Sequence, residues 1–124
     1  MNVVLWIAAS LLAAAFLAAG LLKVAQPKAK LAESGLGWVE DFGAGTVKAI
    51  GAIEALGALG LVLPALVDIA PVLVPIAATG LAVAMVGAVA VHVRRREYSS
   101  IGVNVVLLAI AVFVAWGRFG PYAF

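Results

Sequence analysis

Four stretches of this chain carry almost no charge, at residues 3–22, 49–67, 69–91 and 101–117, which are 20, 19, 23 and 17 residues long. A helix rises 1.5 Å per residue, so about 20 apolar residues cross the hydrocarbon of a bilayer. Each stretch is long enough to span, the fourth by a margin that Phe119 extends. With 66% hydrophobic and 11% charged residues, an ordinary soluble domain is excluded. The expected fold class is therefore all-α, an integral membrane four-helix bundle. It is a single membrane domain over residues 1–124, with helices at about 3–22, 46–63, 71–93 and 101–117 and a loop at 24–45.

The eight Lys and Arg, which give a net charge of +2, read as topology signals on a chain this apolar, so nucleic acid is not an expected partner. Lys23, Lys28, Lys30 and Lys48 flank the first connection and Arg94, Arg95 and Arg96 the third, leaving only Arg118 at the other end. The positive-inside rule then places loops 1 and 3 in the cytoplasm and both termini outside, in a plasma membrane. The start MNVVLW lacks a basic leader region, and its apolar run outlasts a signal core, so the first helix is expected to be retained. With no Cys, the chain itself carries no dithiol, thiolate metal site or iron–sulfur cluster.

The first connection is far longer than neighbouring helices need, and Pro27, Ser34, Gly35 and Gly37 punctuate it. Leu31, Leu36, Trp38, Val39 and Phe42 make it too apolar for a solvated tether. An interfacial or re-entrant segment between helices 1 and 2 is expected, acting either as an aromatic anchor or as a lid whose Trp38 and Phe42 touch a ligand. Small residues at Ser10, Ala14 and Ala18 and at Gly80, Ala84 and Gly87 form stripes suited to helix packing. Pro64 is expected to stop the second helix, and Pro71 and Pro75 to open the third. Asp68 reads as a solvated or capping residue.

Chemistry concentrates in four polar residues, one from each span. Glu54 lies within the second, where a charge costs at least about 2.5 kcal/mol and marks a functional residue by default. Gly51 and Ala58 share its helical face, which points that face into the bundle. Lys23 closes the first helix, as a headgroup anchor or as an inward cation pairing with Glu54. His92, the only histidine, stands one turn from the end of the third helix, as a packing residue or a proton carrier. Asn104 enters about 5 Å into the fourth helix, against about 13 Å for Glu54 in the second, and its amide needs a helix or ligand partner. Alternating topology brings all four to the cytoplasmic half.

The runs GLLKVAQP, KAIGAIEALGALGLVLP, GAVAVHVRRRE and NVVLLAIAVFVAWGRF together resemble the DoxX family of small four-helix bacterial membrane proteins. The resemblance covers almost the whole chain, and Lys23, Gly51, Glu54, His92, Glu97 and Asn104 match its pattern. It implies a redox setting in the bacterial inner membrane, beside thiosulfate-dehydrogenase subunits that reduce quinone and partners of thiol systems.

Three readings follow, and whether the chain is an enzyme is left open. In the first, a redox-associated subunit binds a quinone-like or other flat apolar molecule. Glu54 and His92 act as the catalytic proton carriers, while Lys23, Asn104, Trp38 and Phe42 bind the ligand. No cofactor is visible in the sequence; with one His and two Met, haem ligation is expected only with a second subunit, and no metal site is expected. Electrons would come from a redox partner protein. In the second reading the polar cluster is a structural network of a non-enzymatic binding or scaffold protein. In the third, the chain is a small proton-coupled transporter acting as a homo-oligomer.

Overall fold

The computed structural model describes residues 1–33 and 42–124, and among them all regular structure is helical. The elements are α1 (Asn2–Ala25), α2 (Lys28–Glu33), α3 (Ala44–Leu66), α4 (Leu73–Arg95) and α5 (Tyr98–Phe119). All but α2 are long and apolar enough to cross a membrane. They pack as a ring in which α1 lies against α3, α3 against α4, α4 against α5, and α5 back against α1. Both chain ends therefore share one end of the bundle, here the termini end. The α1–α3 and α4–α5 connections share the other, the loop end.

Helices α1 and α3 each bury one seam spaced by threes and fours. In α1 the seam is Leu5, Ala9, Leu12, Phe16, Gly20 and Lys23, and in α3 it is Val47, Gly51, Glu54, Ala58, Leu61 and Pro64. Such spacing keeps side chains on one face of a 3.6-residue helix, which is what a bundle needs. Phe16, Leu12, Leu61, Leu81, Met85 and Val114 fill the centre. The remaining faces are also apolar, with Leu11, Leu56, Val83 and Val103 fully outward, as hydrocarbon requires.

Two expected packing stripes face outward instead. Ser10, Ala14 and Ala18 are exposed, as are Gly80 and Gly87, and a methyl group added at either glycine would touch nothing. The centre of a four-helix bundle is a volume to be filled, and Phe16 and Leu12 fill it where Ala14 and Ala18 cannot. Small residues matter most where two backbones touch, at Gly20 on α1 and Gly51 on α3. A β-carbon on Gly20 would come within 2.5 Å of the Gly51 carbonyl oxygen, and one on Gly51 within 2.7 Å of the Gly20 oxygen.

The helix ends also differ from expectation. Pro64 does not stop α3, which runs on to Leu66. Proline forfeits only its own N–H bond, and the next turn still closes, with the Val67 N–H donating to Leu63 O at 3.0 Å. The chain reverses one turn later, where Ile69 N–H reaches back to Pro64 O and Asp68 takes a left-handed φ of 53°. Asp68 thus sits at the left-handed helix-ending position, which Asp tolerates better than most residues. Helix α5 begins at Tyr98 rather than near Ile101, because the α4–α5 turn consumes only Arg96 and Glu97.

Of the segment expected at the interface, the described part is α2. After Pro27, Leu31 is buried against Val47 in the first turn of α3, with Ala32 and Phe42 beside them. Trp38 lies outside the described residues.

Candidate functional site

The contact of Gly20 with Gly51 places the first polar pair. Lys23 and Glu54 lie three residues beyond these glycines on their respective helices, and Lys23 Nζ donates to Glu54 Oε1 at 2.5 Å. Both side chains are buried, with residue exposures of 8% and 4%. The convergence follows from helix geometry. Every Cα–Cβ bond leans toward its helix N-terminus. In antiparallel helices Lys23 therefore leans into the bundle and Glu54 leans toward the loop end, so the two meet. Of the two roles open to Lys23, the structure shows the inward cation. Beside it, exposed Lys48 donates to the Val24 carbonyl at 2.7 Å and ties the start of α3 to the end of α1.

The second pair is built by the end of α4. The Glu97 N–H donates to His92 O at 2.9 Å and the Arg96 N–H to Val93 O at 3.1 Å, with Arg96 left-handed at φ 60°, ψ 35°. This is the Schellman arrangement, in which glycine usually occupies the left-handed position. Its effect is to fold Glu97 back over the last turn. Glu97 Oε1 then lies 3.0 Å from His92 Nδ1 and 3.3 Å from Arg95 Nε. His92 is 9% exposed.

Asn104 stands six residues into α5, about 9 Å from its start. Its Nδ2 is buried and has no hydrogen-bond acceptor among the described residues.

The structure therefore brings the expected site residues together as two separate pairs. Among the described residues no hydrogen bond or ion pair joins Glu54 to His92. Phe42 is half-buried in the Leu31–Val47 cluster, within reach of α2 and α3. Glu97 is the partner that singles out one nitrogen of His92, and only the turn geometry reveals it.

Sequence reasoning passed over Arg118, treating it as the lone basic residue at the far end. It is 4% exposed. Its Nη1 donates to Asn2 Oδ1 at 2.7 Å and to Tyr122 O at 2.9 Å, and its guanidinium carbon lies 3.9 Å from the centre of the Phe124 ring. Leu5 packs onto Gly117 just below, so α1 and α5 approach closely here. The signal available was an arginine one residue from the end of an apolar span beside several aromatics.

With this arrangement in view, comparison with known families gives one finding. The model of the DoxX-like family matches residues 7–114. The chain belongs to the DoxX-like family. The match runs from the second turn of α1 to the last turns of α5, so it includes both polar pairs and Asn104, while Asn2 and Arg118 fall outside it. Comparison with curated proteins gives no match, and neither does comparison with solved structures. Family membership and four apolar helices make this DoxX-like protein a multi-pass membrane protein.

Proposed function

We propose that this DoxX-like protein is a redox-associated subunit of the bacterial inner membrane that binds a quinone-like molecule, flat, apolar and bearing carbonyls, at the loop end of its bundle. The observation that carries this reading is the buried Nδ2 donor of half-buried Asn104, which lacks an acceptor among the described residues. A buried donor left unmade costs about 1–3 kcal/mol, and a ligand carbonyl oxygen would recover it. Such a ligand needs apolar walls for its ring, and α4 and α5 offer Val, Ala and Leu throughout.

Reduction of a quinone-like ligand consumes two electrons and two protons. The electrons would come from a partner protein, since this chain holds no thiol and a single imidazole. His92, held through Nδ1 by Glu97, leaves Nε2 as the nitrogen that faces outward from that pair. It is the residue of choice to pass a proton to the ligand oxygen, with Glu97 replenishing it. Lys23 and Glu54 together carry an exchangeable proton in a low-dielectric setting and serve as the second carrier. On the positive-inside rule the loop end, with Lys23, Lys30, Lys48 and Arg94 to Arg96, faces the cytoplasm, where protons are taken up.

A second reading has its own support. The backbone contact of Gly20 with Gly51 lies one turn from the Lys23–Glu54 pair. That placement fits a pair that fixes helix register in a non-enzymatic binding or scaffold protein. Purified protein extracted with organic solvent and analysed by mass spectrometry separates the two. The redox reading expects a copurifying isoprenoid quinone, lost on Asn104→Leu and weakened on His92→Gln in proteins that keep their melting temperature. Absence of any bound carbonyl compound, together with failure of a short-chain quinone to bind added at micromolar concentration, defeats it.

A further inference from the structure

Outside the loop-end residues, the most unusual group is Arg118. A buried cation in a membrane protein ordinarily faces an acid, because leaving it unpaired is costly. Arg118 does not. Both of its acceptors, the Asn2 side-chain oxygen and the Tyr122 carbonyl, are neutral, and the Phe124 and Trp6 rings that flank it carry no charge. Asp68, the one side-chain carboxylate on the α3–α4 connection at this end, is exposed and forms no ion pair with it among the described residues.

The geometry leaves a defined part of the guanidinium unused. Both hydrogen bonds engage Nη1, so the opposite edge, formed by Nε and Nη2, has no acceptor among the described residues. Neither atom is sealed from the surface. Two parallel N–H groups on a fixed cation form the fork that takes two oxygens of one phosphate. Arg118 is the penultimate residue of α5 and its partner Asn2 is the first of α1, so the fork lies at the boundary of the spans. Trp6, Trp116, Tyr122 and Phe124 surround that level and contact one another in pairs, as aromatic residues do among headgroups.

We infer that Arg118 is the centre of a phosphate site at the termini end, in which the phosphodiester of a membrane lipid sits side-on against Nε and Nη2. Asn2 and Tyr122 hold the guanidinium in place, and the Phe124 ring covers one face. The chemistry is that of a phosphate monoanion, which free phosphate shares, and the test separates the two sources.

The full chain is purified in detergent in an Arg94→Gln/Arg96→Gln background, which removes two exposed cations from the loop end. Native mass spectrometry then measures retention of phosphatidylglycerol, of diacylglycerol with the same tails, and of phosphatidylglycerol in the presence of inorganic phosphate. The expected result is retention of phosphatidylglycerol over diacylglycerol by about tenfold, lost on Arg118→Gln. Little competition by millimolar phosphate identifies the lipid as the source, and full competition identifies the free anion at the same fork. Should Arg118→Gln fail to fold, Arg118→Lys keeps the cation but loses the fork, and retention is expected to fall by roughly threefold. Equal retention of the two lipids, or wild-type retention by a folded Arg118→Lys protein, overturns the site.

Discussion

Replacing the two members of the Lys23–Glu54 pair should not cost the same. Lys23→Met strands Glu54, which lies ten residues into α3, about 15 Å from its start, and whose hydrogen-bonded partner is Lys23. A short carboxylate at that depth cannot reach the headgroups. Removing one partner of a buried pair costs about 3–5 kcal/mol in soluble proteins, and the lower value is apt near a helix end. Glu54→Met instead frees a lysine two residues from the end of α1. Its four-carbon stem can swing back to the boundary, so the loss should be about 1 kcal/mol.

The double replacement removes both charges and leaves two flexible side chains of similar volume, which should bring stability within about 1 kcal/mol of the starting protein. The singles then sum to roughly 4 kcal/mol and the double lies near zero, a coupling at or somewhat above the usual upper range for contacting residues. Reversible unfolding in mixed lipid–detergent micelles by titrated dodecyl sulfate, followed by helical circular dichroism, measures all four proteins. A Lys23→Met loss below about 1 kcal/mol, or equal losses for the two singles, would refute the reasoning that depth and side-chain reach set the cost. The same double variant bears on the proposed redox reading: on that reading a stable double variant loses quinone-linked turnover, whereas a pair that only holds register leaves it unchanged.

Three further outcomes are expected. Gly51→Ala places a β-carbon 2.6 Å from that of Lys23 and 2.7 Å from the Gly20 oxygen, so α1 and α3 must part, and the same unfolding assay should show a loss of about 1–3 kcal/mol. Arg96→Gly removes a β-carbon from a left-handed position and should raise stability by about 0.5–1 kcal/mol, seen as a higher melting temperature; a fall would show that the Arg96 side chain contributes more than its backbone strain costs. Asn104→Leu deletes a buried donor with no acceptor among the described residues and should stabilise the ligand-free protein by about 1 kcal/mol while abolishing the proposed retention of a carbonyl ligand, whereas a structural amide would give destabilisation.

The spans were legible because hydrocarbon imposes a length and a composition that few other environments do, and the inward face of α3 was legible because Gly51, Glu54 and Ala58 recur at helical spacing. The outward stripes were misread for a related reason. Hydropathy is high on every face of these helices, so period alone cannot say which face is central, and the small residues of α1 and α4 had no competitor until the volume around Phe16 was known. Glu97 and Arg118 needed three dimensions. Glu97 reaches His92 only because Arg96 turns left-handed, and Arg118 is enclosed only because Asn2 and Phe124 come from opposite ends of the chain.

One geometric rule connects the loop-end observations. In antiparallel spans, a residue near the C-terminal end of one helix leans into the membrane and a residue near the N-terminal end of the next leans toward the boundary. A lysine three beyond Gly20 and a glutamate three beyond Gly51 therefore converge wherever the two glycines touch. Sliding α1 along α3 by one turn, about 5.4 Å, would separate the charges and drive side chains into backbone at the same time. The pair and the crossing thus hold a single register, and α2 rests on it through Leu31 and Val47. His92 lies on α4, which packs against this fixed α3, and its side chain pairs with Glu97 on the neighbouring turn. On the proposed ligand-binding reading, the movement that admits the ligand comes from α4 and α5, the side that carries the Asn104 donor without an acceptor among the described residues.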